Sequence, residues 1–305
     1  MHNLFASRKI RPISWVIYVT IQKLYLINHL PLSKEGENMR SFDTLGKKKV
    51  VLGMIHLKPL PGTPHNEEGM LEEALDKAVK DAIALDQGGA DGCLIQTVDR
   101  VYPAGDESDY ARVAGMAKIV HEVSKATRPE FQIGVHFMFN GLKPSVAVAK
   151  VCGGSYIRCT ALVGATQTAM GTVIANPYDF MTYRAQIGAK NIKLIAEVDG
   201  MHYRAIGDRP ASETAMMAKY IGAHAVEVAH KDEDTNNRVV QEIKNAVPDM
   251  PVILGGHTNH ENAARRLAFA DGAFVGTCLE EGGKWGSSID IQRVKEYVGI
   301  VSSLN

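Results

Sequence analysis

Eight apolar runs that alternate with helix-like segments predict an α/β fold, a parallel eight-stranded (β/α)8 TIM barrel, for this 305-residue chain. Strict alternation of strand and helix favours a parallel sheet, and the number eight favours its closure into a barrel. Such barrels fill about 200 to 250 residues as one domain, so the chain is long enough. An open doubly wound sheet stays the alternative, but no Gly-x-Gly-x-x-Gly fingerprint follows the first strand.

The strands and helices are placed by hydrophobic pattern and by flanking glycine and proline. The predicted strands are residues 50–55, 92–96, 132–137, 155–159, 192–198, 223–229, 251–254 and 272–276. The predicted helices are residues 70–87, 108–126, 144–151, 177–187, 210–221, 235–246, 259–269 and 290–301. In the first helix, Leu71, Leu75 and Leu85 fall on one stripe, which is typical of a helix that covers a sheet. Gly153 and Gly222 stand where C-terminal caps are expected.

Charge and cysteine content exclude several classes of protein. The chain has 34 Lys and Arg residues against 34 Asp and Glu residues, so no overall positive field would hold a nucleic acid. Cys93, Cys152, Cys159 and Cys278 form no Cys-x-x-Cys pair, which argues against a zinc ribbon, a redox motif or a disulfide scaffold. Free thiols are typical of a reducing compartment, so we expect a cytoplasmic protein.

The first 46 residues are predicted to form an N-terminal extension, and residues 47–305 the barrel domain. The apolar run at residues 13–32 is interrupted by Gln22, Lys23, Asn28 and His29, so we expect no integral membrane span. No Ala-x-Ala cleavage site of a signal peptide follows. Residues 34–38 back-translate to a purine-rich string like a ribosome-binding site, which leads to the hypothesis that the natural chain starts at Met39.

Two strand ends carry the residues that phosphate binding requires. The predicted strands seven and eight both end in glycine and are followed by a small hydroxylated residue. Glycines let backbone N–H groups approach an anion, and a helix N-terminus adds partial positive charge. The loops after these two strands are also the frequent phosphate site of this fold. The predicted phosphate-binding residues are Gly255, Gly256, Thr258, Gly276 and Thr277, unless these glycines only make tight turns.

The other strand ends carry an unusual set of ionisable groups. Because side chains alternate along a strand, Glu197 and Asp199 are expected to face the same way. The set could act as general acid and base on a carbonyl-bearing sugar, or hold a divalent metal ion through Glu197, Asp199 and His202. Taken singly, each could be a polar rim residue, and Arg158 could simply pair with Glu197. The candidate catalytic residues are His56, His136, Arg158, Glu197, Asp199 and His202.

The loop after the first strand is the most distinctive local string. Pro59, Pro61 and Pro64 restrict the backbone of residues 56–64, which predicts a stiff loop rather than a flexible lid. Because it starts at the carboxyl end of a strand, we expect it to form one wall of the site. Proline-rich turns that only connect two elements are the alternative.

At this string the sequence resembles the BtpA/SgcQ family. Residues 53–64, Gly-Met-Ile-His-Leu-Lys-Pro-Leu-Pro-Gly-Thr-Pro, are similar to its opening motif, and shorter matches extend the resemblance over residues 50–298. The resemblance implies a barrel of the ribulose-phosphate-binding type. It also implies an association with photosystem I biogenesis for members from photosynthetic bacteria, whereas other members accompany sugar-utilisation genes and have no established reaction.

Departures from the family pattern identify a divergent member. Glu280 stands where the family frequently has a lysine after the eighth strand. A glutamate cannot take over a contact to an anion, so the phosphate hypothesis depends on backbone N–H groups and Thr277, with Lys231 as a substitute cation.

Two functions stay open at this point. The first is an enzyme that acts on a small phosphorylated metabolite, a sugar phosphate or nucleotide-derived sugar, by acid–base isomerase or lyase chemistry, with a divalent metal ion as the one cofactor considered. The second is a non-catalytic assembly or regulatory factor, as in photosystem I biogenesis, that keeps the barrel as a scaffold. Because exposed barrel helices commonly pair, we expect a homo-oligomer.

Overall fold

The computed structural model describes residues 40–304, in which eight parallel strands close into a barrel. The predicted TIM barrel is therefore confirmed. Most of the predicted extension, including the hypothesis about Met39, lies outside the described residues. The strands in chain order are β1 (Val50–His56), β2 (Gly92–Gln96), β3 (Gln132–His136), β4 (Tyr156–Cys159), β5 (Ala165–Thr168), β6 (Gly171–Ile174), β7 (Lys193–Gly200), β8 (Ala225–Ala229), β9 (Val252–Leu254) and β10 (Gly272–Val275).

The order of strands around the barrel is β1-β10-β9-β8-β7-β4-β3-β2, and β1 closes it by pairing with both β2 and β10. The short strands β5 and β6 form a separate antiparallel hairpin between β4 and the next helix. No strand was predicted there. Half of its eight residues are Thr or Gln and half are exposed, so their pattern does not differ from that of a loop.

The helices pack around the barrel, and several begin at an aspartate or asparagine cap. Asp109, Asn176, Asp232 and Asp290 each accept a hydrogen bond from a backbone N–H of the first turn. Gly153 and Gly222 end their helices in the left-handed conformation, as predicted. The helices are α1 (Met70–Gln87), α2 (Tyr110–Ala126), α3 (Leu142–Cys152), α4 (Pro177–Gln186), α5 (Ala211–Ile221), α6 (Glu233–Ala246), α7 (Ala263–Arg266) and α8 (Ile291–Ser302).

The predicted helix at 259–269 is wrong in length, because α7 has only four residues. The side chain of Asn259 accepts from the backbone N–H groups of Glu261 and Asn262, and the side chain of Asn262 accepts from that of Asn259. These local bonds stabilise a turn in place of the first helical turn. After β10, two short 3-10 turns, Thr277–Leu279 and Glu281–Gly283, follow in place of an α-helix start.

The barrel interior changes from apolar to polar along the strands. Phe42, which precedes β1, packs with Leu52, Leu94 and Tyr156 in an apolar cluster inside the barrel. Side chains alternate along a strand, so the residue two positions after the last apolar residue of this cluster on each strand also faces the barrel interior. Those next inward positions hold the functional groups of the barrel mouth: His56 on β1, Gln96 on β2, Arg158 on β4, Glu197 on β7, Glu227 on β8, Gly255 after β9 and Gly276 after β10.

No helix within residues 40–304 has both the length and the apolar character that a membrane span needs. The four cysteines are free, and three of them, Cys93, Cys152 and Cys159, are buried.

Candidate active site at the mouth of the barrel

Arg158 lies at the centre of a buried charged cluster. Its Nε donates to Glu227 Oε2 at 2.7 Å, and its Nη2 donates to Glu227 Oε1 at 2.5 Å. The same Nη2 lies 3.4 Å from Glu197 Oε2, and Nη1 donates to Gln96 Oε1 at 3.2 Å. All four side chains belong to residues that are buried. Glu227, which the sequence patterns placed at a strand end but not in the catalytic set, is therefore the closer carboxylate partner of Arg158.

The carboxyl groups of Glu227 and Glu197 both contact the guanidinium of Arg158, but their pKa values are shifted in opposite directions. Burial raises the pKa of Glu227 to about 7, with Arg158 opposing this rise and the charge on Glu197 adding to it. Burial acts on Glu197 as well, but Arg158 and hydrogen bonds from His202 outweigh it and lower the pKa of Glu197. One carboxyl group stays ionised and its neighbour can hold a proton near neutral pH, which is the separation that an acid–base pair requires.

His202 connects the buried cluster to the open mouth. Its backbone N–H donates to Glu197 Oε1 at 2.9 Å. Its ring Nδ1 lies 3.1 Å from Arg158 Nη2 and 3.4 Å from Glu197 Oε2. Without a proton, Nδ1 can accept a hydrogen bond from the guanidinium of Arg158. With a proton, the same nitrogen can donate to the carboxylate of Glu197. The side chain is 16% exposed and lines the central cavity, so the ring lies between the buried cluster and the mouth.

The two other candidate histidines have different environments. His136 is completely buried, with Nδ1 3.0 Å from Gln96 Oε1 and Nε2 3.3 Å from Thr160 Oγ1. Both of its ring nitrogens have partners, and His136 is not among the residues that line the central cavity.

His56 lines the mouth, and within residues 40–304 its buried Nδ1 has no hydrogen-bond partner. Burial, reinforced by the positive charges of Lys77 and Arg158, lowers the pKa of His56 to about 4. His56 is therefore a neutral imidazole at the cavity, and leaving its enclosed nitrogen unpaired costs about 1–3 kcal/mol.

A cavity of about 780 Å³ opens at the mouth, and all five predicted phosphate-binding residues line it. A β-carbon built on Gly255 would lie 2.0 Å from Glu227 Oε1, so only glycine fits against this carboxyl group. The next two residues, Gly256 and His257, have φ of 109° and 58°. A non-glycine residue in this left-handed region costs about 1–3 kcal/mol and is typical of functional sites.

Three cations line the same cavity: Lys231 after β8, Arg266 at the end of α7 and Arg293 in α8. None of them forms an ion pair with a carboxylate within the described part of the chain. Arg266 Nη1 donates to the backbone oxygen of Lys231 at 3.1 Å, and Arg293 Nε donates to that of Cys278 at 2.7 Å. Of the three, only Lys231 was expected. Arg266 and Arg293 were not predicted as site residues. Each lies in the helix that follows a strand ending in glycine, and this position could have identified them from the sequence.

The prediction that Asp199 faces the same way as Glu197 is wrong. A bulge in β7 lies between them, so Glu197 pairs with Glu227 while Asp199 pairs with Val228. Asp199 Oδ2 lies 2.9 Å from His230 Nε2, and both residues line a separate cavity of about 420 Å³. The bulge breaks the alternation on which the prediction rested.

The predicted metal ligands Glu197, Asp199 and His202 are therefore not brought together. Among residues 40–304, no group of three His, Cys, Asp or Glu side chains is arranged to hold a metal ion.

Two further expectations are corrected by the contacts, those for the loop after β1 and for the helix start after β10. Thr258 lines the cavity, and its hydroxyl is also hydrogen-bonded to that of Tyr297. Past His56, residues 57–64 do not line the central cavity, because the buried Asp99 Oδ1 accepts from Leu60 N at 3.0 Å and holds the loop to one side. Short 3-10 turns after β10 replace the helix N-terminus that was expected to attract an anion. Glu280, at the position of the family lysine, is buried and does not line the cavity either.

Comparison with known proteins identifies the family to which the chain belongs. The model of the BtpA family matches residues 47–303. The chain belongs to the BtpA family. An uncharacterized protein of Methanocaldococcus jannaschii is 30% identical to it over 261 residues, which is 85% of this chain and 97% of the relative. The photosystem I biogenesis protein BtpA of Synechocystis is 26% identical over 265 residues, covering 85% and 90% of the two chains.

Among solved structures, the BtpA-family barrel is similar in fold to tryptophan synthase of Mycobacterium tuberculosis. The TM-score is 0.55 at 14% sequence identity, over 84% of this chain and 93% of the other. At this level of identity the likeness shows the fold alone, so the activity has to be argued from the site itself.

Proposed function

We propose that this BtpA-family protein is an enzyme that binds a small phosphorylated metabolite at the barrel mouth and moves a proton on it, as an isomerase or lyase does. The observation that carries the proposal is one cavity with two chemically different ends. Unpaired cations and glycine backbone lie at the end formed after β9 and β10, and the Arg158 cluster lies at the floor.

The phosphate would lie against Gly255, Gly256, Gly276 and Thr277. Backbone approach is close there, and Lys231 and Arg293 supply the positive charge that the short turns after β9 and β10 lack. Cations without a carboxylate partner in a partly enclosed cavity favour an anion, because charge burial is costly unless it is compensated.

The reacting end of the molecule would face His202, His56 and Arg158. Glu227 can hold a proton near neutral pH while Glu197 stays ionised beside Arg158, and His202 can pass a proton between this cluster and the ligand. The ring of His56, which lines the cavity, would contact the ligand. This is the chemistry of proton abstraction next to a carbonyl group.

Binding is tested by titrating the full chain with ribose 5-phosphate and inorganic phosphate and following the melting temperature. A ligand that binds only the native state raises this temperature by mass action. Lys231→Gln should weaken the binding about tenfold, because one charge-assisted contact is lost. The matched control is Lys295→Gln, which removes the same charge from the exposed side of α8. Equal affinities in the two variants would contradict the proposed phosphate site.

Chemistry is tested separately, by following exchange of carbon-bound hydrogen of each sugar phosphate in D₂O by NMR. We expect exchange with the parent protein, and its loss in His202→Asn with ligand binding retained. The relative named for photosystem I biogenesis favours the second function, a non-catalytic assembly factor. Binding without exchange across a panel of aldose and ketose phosphates would favour that function over the enzyme.

A further inference from the structure

An indole ring forms one side of the cavity rim. Trp285 is 59% exposed, although large aromatic side chains normally bury most of their surface. It lines the same cavity as His56, with the two ring centroids 5.9 Å apart and tilted by 44°. The exposed face of the indole is therefore part of the binding surface.

The loop that carries Trp285 is anchored at both ends. Glu281 N donates to Ser288 O at 2.9 Å, and Asp290 N donates to Leu279 O at 2.9 Å. Ile289 N also donates to the buried carboxylate of Asp81 at 2.9 Å. These bonds fix the base of the loop, so Trp285 is held over the rim by backbone contacts.

Apolar and polarisable groups lie elsewhere around the same cavity. Met201, which follows β7, is 58% exposed and lines the cavity, as does Met54 from the inner face of β1. β7 and β10 are three positions apart in a barrel of eight strands, so Met201 and Trp285 come from nearly opposite sides of the mouth. Thioethers and indoles make favourable contacts with planar aromatic rings.

Small sugar phosphates would leave these apolar groups without contacts. A triose or pentose phosphate has no planar apolar face for Trp285 and Met201. The cavity of about 780 Å³ lies within the range that holds larger ligands, about 300–1,000 Å³.

From these contacts we infer that the ligand is a phosphorylated nucleoside whose base lies against Trp285 while its phosphate lies at Gly255 and Gly276. The inference rests on the proposed phosphate site and names the ligand class for it; because C1′ of a nucleoside carries the base and is no free carbonyl, it does not extend to the proton abstraction tested with sugar phosphates. The ribose then lies over His202 and Arg158, and Met201 contacts the base from the other side of the mouth.

Trp285 itself reports the binding. The chain has two tryptophans, so Trp15→Phe in the full chain leaves Trp285 as the one fluorescent indole. We expect AMP to quench this fluorescence. It should also bind at least tenfold more tightly than ribose 5-phosphate, because stacking of a base on an aromatic side chain contributes about 1–3 kcal/mol to binding. Trp285→Leu, in the otherwise unchanged protein, should remove this tenfold advantage and leave the affinity for ribose 5-phosphate within about twofold.

Phe269→Leu provides the control, because Phe269 is 49% exposed and lies outside the central cavity. If AMP binds no more tightly than ribose 5-phosphate, or if Trp285→Leu leaves the advantage intact, the inference is overturned while the proposed phosphate site stands. If adenosine binds as tightly as AMP, the phosphate site is overturned, and the inference keeps only the contact between the base and Trp285. If no phosphorylated compound binds, both fall.

Discussion

Glu227 Oε1 occupies the space in which a side chain of residue 255 would begin, 2.0 Å from the position of a β-carbon built on Gly255. The glycine after β9 and the carboxyl group on β8 are therefore packed against each other. Because Arg158 holds the carboxyl group in place through two hydrogen bonds, the glycine loop after β9 and the Arg158 cluster share a common wall.

Gly255→Ala is expected to displace Glu227 or the loop, because the added methyl group has no space. Overpacking of this kind costs about 1–3 kcal/mol of the free energy of unfolding, and phosphate affinity should fall with it. Urea unfolding and a phosphate titration measure the two effects.

Gly299→Ala is the matched control for this change. A β-carbon at this exposed position in α8 meets nothing within 4 Å. Replacing glycine in a helix should stabilise the protein by about 0.5–1 kcal/mol. If both alanine variants behave alike, the close approach of Gly255 to Glu227 has no energetic consequence.

Arg158→Met is expected to destabilise the barrel strongly, since it leaves Glu197 and Glu227 buried without their cation. Removing one partner of a buried ion pair costs about 3–5 kcal/mol. Arg238→Met breaks an exposed ion pair with Glu242 and should change the free energy of unfolding by about 0.5 kcal/mol or less.

Adding Glu197→Gln and Glu227→Gln to Arg158→Met should recover part of the lost stability, because the uncompensated charges are then gone. Chemical unfolding of all variants at one pH decides this. A triple variant less stable than Arg158→Met would contradict the assignment of these three groups to one charge cluster.

His56 is expected to make stability depend on pH. Its pKa is lowered from 6.5 to about 4 by burial, so between these values the unfolded chain binds the proton more readily than the folded one. The free energy of unfolding should therefore rise as the pH is increased from about 4 to 6.5. The stability that the neutral His56 provides should be lost again as the pH falls through the same interval.

His56→Gln should show a smaller rise over the same interval, measured as the urea midpoint at intervals of one pH unit. His65→Gln serves as the control, because His65 lies in the exposed loop after β1. A parent and a His56→Gln variant with parallel pH profiles would contradict a buried, neutral His56.

Tyr297→Phe tests the role of the Thr258 hydroxyl. The change removes the hydrogen bond between the two hydroxyl groups and should cost about 1–2 kcal/mol, because a buried hydroxyl loses its partner. We expect phosphate affinity to stay within about twofold, as the hydroxyl of Thr258 serves the fold. A large gain in phosphate affinity, which isothermal titration would detect, would instead show that Tyr297 withholds this hydroxyl from the ligand.

Local patterns predicted most of the barrel correctly. Apolar runs of strand length and amphipathic helices such as α1 are properties of short segments, so they can be recognised without knowing what packs against them. The same applies to His56, Arg158 and Glu197, because alternation along a regular strand places them at inward positions of the mouth. The helix after β9 was predicted too long, since the hydrogen bonds of Asn259 compete with helix formation in a way that periodicity does not reveal.

The sequence by itself determined the eight strands of the barrel, the barrel class and the glycines after β9 and β10. Only the tertiary structure decided that Arg158 pairs chiefly with Glu227, that a bulge turns Asp199 toward His230, and that Arg266 and Arg293 reach the cavity. The physical reason is that secondary structure follows from neighbours in sequence. Ion pairs, bulges and cavity walls depend instead on which distant side chains the closed barrel brings within a few ångströms.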